Sequence, residues 1–198
     1  MTRMLPLLAV VLVALVTACT STPPANRLPE LRFDHLPPIR LDVSSIDIVQ
    51  AYKPPMTEPN VEHLLPVSPA RAAENWARDR LRAEGSRGVA RFTVLDASVT
   101  RQPLQTKSGV TGFFTTEPSE RYEATLDVAL DVIDPAGRRL AQVEARANRV
   151  RAIREDASLN DRQRMQFELV ESLMADLNAE LERQAQRHLA PYRVGSGG

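Results

Sequence analysis

The clearest pattern in the chain has a period of two. Tyr122, Ala124, Leu126, Val128, Leu130 and Val132 are apolar, while Arg121, Glu123, Thr125, Asp127 and Asp131 between them are polar. Successive strand side chains point to opposite faces, so this alternation predicts a strand with one buried and one wet face. Asp134-Pro135-Ala136-Gly137 supplies turn chemistry, and Ala141, Val143, Ala145 and Ala147 continue the period on a returning strand. With Ile133 facing Arg138 across a four-residue loop, Val128 meets Val143, Leu126 meets Ala145 and Ala124 meets Ala147. A shift by one residue sets Val128 against Glu144, so the apolar phase selects the register.

Two shorter segments alternate with a slip. Ala90, Phe92 and Val94 hold one phase and Leu95, Ala97 and Val99 the other, which predicts a strand over 89–100 with a bulge. Ile39, Leu41 and Val43 give way across Ser44-Ser45 to Ile46 and Ile48, and the same reading applies. Between Gln50 and Val67 stand Pro54, Pro55, Pro59 and Pro66, which predict a long ordered loop.

Two segments change to helical spacing. Ser68-Pro69 starts the first, with Ala73, Trp76, Ala77 and Leu81 on one narrow face, an end near Glu84, and Gly85 and Gly88 as the stop. Ser158 with Asp161 resembles a capping box before the second. Leu159, Gln166, Leu169, Val170, Leu173, Met174, Leu177 and Leu181 then form one stripe of a helix reaching about Leu189. The order β-α-β-β-β-α predicts an α+β fold: an antiparallel sheet of about four strands with two helices packed on one face. The other sheet face stays open.

The first residues carry a different signal. Arg3 precedes a nearly uninterrupted apolar run from Met4 to Val16, roughly 13 residues, which is short of the ~20 needed to cross a bilayer. A basic start, an apolar run of this length and small residues before a cut describe a signal peptide. Val16-Thr17-Ala18-Cys19 resembles the bacterial lipobox. That resemblance implies cleavage between Ala18 and Cys19, a diacylglyceryl group on the Cys19 sulfur and an acyl chain on its amine. Cys19 is the one cysteine of the chain, so no intramolecular disulfide competes for it. The alternative is an ordinary secreted protein whose unpaired thiol happens to fall here.

Cleavage at Cys19 leaves residues 19–198. Of these, 19–38 form a proline-rich tether, 39–190 a single α+β domain and 191–198 a flexible tail. Leu28, Leu31 and Phe33 are placed to dock part of the tether. The 25 basic residues balance 25 acidic ones, which argues against a nucleic-acid partner and against electrostatic membrane binding.

No catalytic constellation assembles in the sequence. His35 and His63 lie in proline-rich segments and His188 at a helix end, all read as solvated, and there is no G-x-S-x-G, phosphate loop or HExxH. Glu123, Asp127 and Asp131 share a strand face, but four residues at 3.3 Å set neighbours about 13 Å apart. They read as a solvated face with Arg146 as a neutralising neighbour, so no metal and no cofactor is expected. Phe113 and Phe114, beside Gly109 and Gly112 in a loop between strands, are the candidate contact with a partner or membrane.

Lipobox, proline-rich tether, strand, helix, three strands and a long C-terminal helix together resemble the PqiC-like auxiliary lipoproteins of ABC-type lipid transport systems. The likeness spans about Ile39 to Leu189 and lies in the order of elements. It implies a non-enzymatic protein of the cell envelope, facing the periplasm from the outer membrane, that docks to a transport assembly. Thr20 stands where an Asp retains some lipoproteins in the inner membrane. An envelope enzyme or small-ligand binder using the open sheet face is the competing reading.

Overall fold

The computed structural model describes residues 28–104 and 118–195. Its elements are β1 (Ile39–Leu41), β2 (Ser45–Gln50), α1 (Pro69–Arg80), β3 (Leu81–Ala83), β4 (Val89–Asp96), β5 (Val99–Pro103), β6 (Pro118–Ile133), β7 (Arg139–Arg154) and α2 (Leu159–His188), with short 3-10 turns at Glu62–Leu64 and Ala190–Tyr192. The class is the expected α+β.

The hairpin of β6 and β7 organises the fold. The alternating apolar residues of β6 from Tyr122 to Val132 are all buried. Their partners are Leu126↔Ala147, Val128↔Ala145 and Leu130↔Val143. The expected register is therefore displaced by two residues while its apolar phase is kept. The cause is at the turn, where Gly137 adopts φ +82°, Gly137 N–H donates to the Asp134 carbonyl, and Ile133 pairs with Arg139 beside a bulge. This is a type I turn followed by a left-handed residue, which lengthens the connection relative to a plain four-residue loop.

The other edge of β6 receives two strands in succession. β4 pairs with residues 127–133 and β5 with residues 120–124, and the ladder shifts between Val94 and Asp96, where the alternation breaks. Beyond β4 lies β2, and this pair is parallel, with Ile46↔Ala90 and Ile48↔Phe92. The sheet is thus mixed and five-stranded, not purely antiparallel with about four strands. α1 lies between β2 and β4 and returns the chain to its starting end, which requires the second strand to run in the direction of the first.

Both helices cover the same sheet face. Trp76 of α1 lies 5.5 Å from the Phe92 ring of β4, and its Nε1 donates to Asn178 Oδ1 of α2 at 2.9 Å. The capping box of α2 is formed, with Ser158 accepting from Asp161 N–H and Asp161 accepting from Ser158 N–H. Its stripe is buried from Gln166 to Leu181 and on to Ala185, whereas Leu159, at the first turn, is 70% exposed.

Three boundaries differ from the sequence reading. α1 ends at Arg80, because Leu81–Ala83 pairs in parallel with Ile39–Leu41 as a two-stranded ladder. The single slipped strand over 39–48 is accordingly two strands in two sheets. Gly85 and Gly88 serve later chain crossings and do not stop the helix: a Cβ on Gly85 would lie 2.5 Å from the Asp42 carbonyl carbon, and one on Gly88 2.4 Å from the Ile133 oxygen. At the other terminus, residues 191–194 do not hang free. Arg193 bridges to Leu41, Asp42 N–H donates to the Tyr192 carbonyl at 2.8 Å, and Val194 N–H to the Arg40 carbonyl at 3.1 Å.

The proline-rich segment also joins the body earlier than Ile39. Leu31 and Phe33 are buried, and Asn75 of α1 donates to the Leu31 carbonyl at 3.1 Å. The loop from Gln50 to Val67 is ordered by Glu62, which is buried and accepts from Tyr52 Oη at 2.8 Å and from Val99 N–H at 3.2 Å.

Candidate functional site

The end of the sheet from which residues 105–117 depart carries a polar cluster around a buried side chain. β5 and β6 close against each other there, with Leu104 N–H donating to the Ser119 carbonyl at 2.8 Å and Pro103 paired with Glu120. Tyr122 follows two residues later, on the core face of β6 and 1% exposed. Its hydroxyl donates to Glu120 Oε2 at 3.0 Å and accepts from Arg162 Nη1 at 3.2 Å and Gln166 Nε2 at 3.5 Å, both on α2. Arg162 also pairs with the Glu120 carboxylate. On β5, Arg101 stands opposite Tyr122 and pairs with Glu58.

Two guanidinium groups of the cluster are held charged by their neighbours. The Arg162 guanidinium is pushed above its ordinary range by its hydrogen bond to Tyr122, with Glu120 adding to it and burial opposing it. Arg101 is opposed first by burial, yet its bonds to Glu58 and Tyr122 raise it. A guanidinium neither donates nor takes a proton near neutral pH. The cluster therefore fixes geometry: it locks β5, β6 and the first turns of α2 together at the root of residues 105–117.

A partial signal for it is legible in the sequence. Gln166 is the polar member of an otherwise apolar helical stripe, and Tyr122 begins the buried phase of β6 with a hydroxyl that needs a partner when buried. Which polar groups meet there depends on how α2 crosses the sheet.

The residues singled out from the sequence fall in two groups. Ala18, Cys19, Phe113 and Phe114 lie outside the described residues. Asp127, Glu123 and Asp131 line the wet face of β6, each with neighbours: Asp127 faces Arg146 in register, Glu123 accepts from Asn148 at 3.4 Å, and Asp131 pairs with Arg139 at 3.4 Å. His35, His63 and His188 are exposed. Among the described residues no group of three or more His, Cys, Asp or Glu side chains is placed to hold a metal ion, and no described helix is long and apolar enough to cross a membrane.

Three clefts, of about 210, 440 and 420 Å³, are lined by described residues. Neither Asp127 nor His63 lines any of them. The smallest contains Arg80, Glu182 and Arg193, and is below the ~300 Å³ at which small-molecule pockets begin.

No protein-family model matches the chain, and no curated protein matches it. Among solved structures it is similar to the rare lipoprotein B from Shewanella oneidensis, at 14% identity and a TM-score of 0.39 over 73% of this chain and 96% of that one. It is likewise similar to a minor lipoprotein from Acinetobacter baumannii, at 17% identity and a TM-score of 0.38 over 75% of this chain and 96% of that one. At that level of similarity no property of either protein transfers to this chain.

Proposed function

We propose that this chain is a lipoprotein of the bacterial cell envelope, anchored through Cys19 and facing the periplasm, with a non-enzymatic binding or assembly role. The observation that carries the proposal is the placement of the one cysteine, directly after a signal-like apolar run and the small residues Thr17 and Ala18. Several acyl chains at that point, each methylene contributing about 0.8 kcal/mol, hold a protein far more firmly than a single myristoyl chain.

The packed Leu31 and Phe33 shorten the tether. From Cys19 to Leu28 there are nine residue steps, which reach at most about 30 Å when fully extended. The body thus works close to the lipid surface. Thr20 favours the outer membrane, and the resemblance to PqiC-like proteins favours an accessory role in an envelope transport system. Phe113 and Phe114 are the proposed contact, carried between β5 and β6 at the root fixed by Tyr122.

Metabolic labelling with a palmitate analogue tests the anchor. Label is expected on the wild-type protein and its loss on Cys19→Ser, with the wild-type mature N-terminus at residue 19. Equal labelling of both, or none on either, overturns the proposal. For the contact, crosslinking in the native envelope is expected to trap a specific partner with wild type and to lose it with Phe113→Ser/Phe114→Ser.

A further inference from the structure

β7 is an edge strand of unusual length. It runs for 16 residues, against five or six for an ordinary strand, and all its ladder partners lie on β6. Among the described residues no strand pairs with its other edge, so alternate residues direct backbone N–H and C=O groups away from the sheet. At its start Tyr192 Oη reaches the Leu140 carbonyl at 3.4 Å. Further along, Asn148, Arg149, Val150, Arg151 and Ala152 are all exposed in succession, leaving both faces open beside the edge. Val150 is 42% exposed in the middle of this stretch.

The charge on β7 is one-sided: Arg139, Arg146, Arg149, Arg151 and Arg154 against the single acid Glu144. Arg139, Arg149 and Arg154 are paired within the chain, with Asp131, Asp176 and Asp156. Arg146 and Arg151 form no ion pair among the described residues, although Arg146 faces Asp127 in register. Arginine along an edge deters chance pairing with neutral or basic strands. The same charges favour a strand that brings carboxylates, because opposite charges across a ladder stabilise it and like charges oppose it.

We propose that β7 from Arg146 to Ala152 is a docking edge for an extended acidic segment of another protein, which adds to the sheet as a further strand. Backbone hydrogen bonds give the attachment. Carboxylates beside Arg146 and Arg151, with an apolar residue beside Val150, give the selectivity. A second copy of this chain fits less well, since it brings the same excess of arginine. This inference deepens the binding role proposed above and rests on it, but it does not depend on lipidation.

The test uses the full chain purified in detergent and a fluorescent 12-residue Glu/Val peptide. In one register its pattern sets Glu opposite Arg146 and Arg151, which lie on opposite faces of β7, and Val opposite Val150, which shares the face of Arg146. Matched controls carry Lys for Glu, or backbone N-methyl groups at alternate residues. The Glu/Val peptide is expected to bind and to slow amide exchange over 146–152. The N-methylated and Lys/Val peptides should each bind at least tenfold more weakly, as should the Glu/Val peptide to Arg146→Glu/Arg151→Glu with its circular dichroism unchanged. Absence of binding, or equal binding of the N-methylated peptide, overturns the strand-addition proposal. A concentration-dependent dimer that protects the same amides overturns the choice of occupant. These readouts leave the Cys19 anchor untouched, so failure here is distinct from failure of the palmitate labelling.

Discussion

Arg32 grips Asp79 with two hydrogen bonds, Nη2 to Oδ1 at 2.6 Å and Nε to Oδ2 at 2.9 Å, across 47 residues of sequence. Asp79 is buried near the end of α1, and its Oδ2 also accepts from Phe33 N–H at 2.8 Å. One carboxylate therefore ties the segment after the proposed anchor to the helical layer. Leu31 and Phe33, on either side of Arg32, are both inserted in the core.

The folded unit accordingly includes Leu31 to Phe33 and does not start at Ile39. A chain starting at Leu28 is expected to match the full chain in urea unfolding within about 0.5 kcal/mol, the range of surface changes. One starting at Ile39 loses Leu31 and Phe33 from the core. Removing such a side chain costs about 2–5 kcal/mol each, a large share of the 5–15 kcal/mol that holds a domain together. That chain should unfold at markedly lower urea, and an unchanged midpoint would place the boundary where the sequence put it.

The clasp also sets a pH dependence. The Asp79 carboxyl is held below the usual range chiefly by the Arg32 hydrogen bonds; burial opposes this, and the Phe33 N–H supports it. A carboxyl whose folded pKa is depressed contributes stability that is fully present above its unfolded value, about 3.9, and is lost as pH falls through the folded value. Asp79→Asn keeps an acceptor for Phe33 N–H but removes the titration. The gap in unfolding free energy between wild type and Asp79→Asn should be constant from pH 7 to about 5 and shrink below about 4. A gap independent of pH down to 3 would assign the acid sensitivity to other carboxylates.

Glycine substitutions separate close approach from backbone conformation. Gly88 and Gly137 both have positive φ, +71° and +82°. A Cβ on Gly137 meets nothing within 4 Å, whereas one on Gly88 lies 2.4 Å from the Ile133 oxygen. Gly137→Ala should therefore cost only the left-handed conformation, about 1–2 kcal/mol. Gly88→Ala must also push β4 away from the end of β6, and is expected to cost clearly more. Urea midpoints of the two variants give the order directly, and equal losses would mean that the β4 end yields freely.

Short-range signals in the sequence anticipated much of this fold. The alternation of β6, the capping box at Ser158 and the break between Val94 and Asp96 each rest on residues within one turn or one pleat of one another. What stayed hidden depends on partners far along the chain. Leu81 fits the helical face of α1, yet it leaves the helix because Ile39 offers it a ladder. The parallel pairing of Ile46 with Ala90 follows from the path of the helix between them, which no local periodicity encodes. The hairpin register slipped by two because a shift of two keeps Val128 on an apolar partner, Ala145 in place of Val143, so only the turn geometry at Gly137 could choose. At the candidate site, Gln166 was legible as an oddity in its stripe, while Arg162, Glu120 and Arg101 were ordinary surface charges until α2 was laid across the sheet.

The contact between the two helices turns on Asn178. Its Oδ1 accepts from Trp76 Nε1 at 2.9 Å and from Arg80 Nη1 at 2.6 Å, while Arg80 Nη2 reaches Glu182 at 2.7 Å. Arg80 is 2% exposed, its guanidinium carbon lies 5.8 Å from the Trp76 ring centroid, and its Nε has no hydrogen-bond partner among the described residues. Truncating Asn178 strands two buried donors at once, one of them charged. A stranded neutral donor costs about 1–3 kcal/mol and a charged one more, so Asn178→Ala is expected to lose about 3–5 kcal/mol. Replacing a buried charge together with its partner by apolar groups of similar size is often near neutral. Adding Arg80→Met to Asn178→Leu should therefore recover part of the loss seen with Asn178→Leu alone. Urea unfolding of the four chains forms a double-mutant cycle. A coupling near zero would mean that Arg80 draws its stability from Glu182 and the Trp76 ring, and that Asn178 merely fills space between the helices.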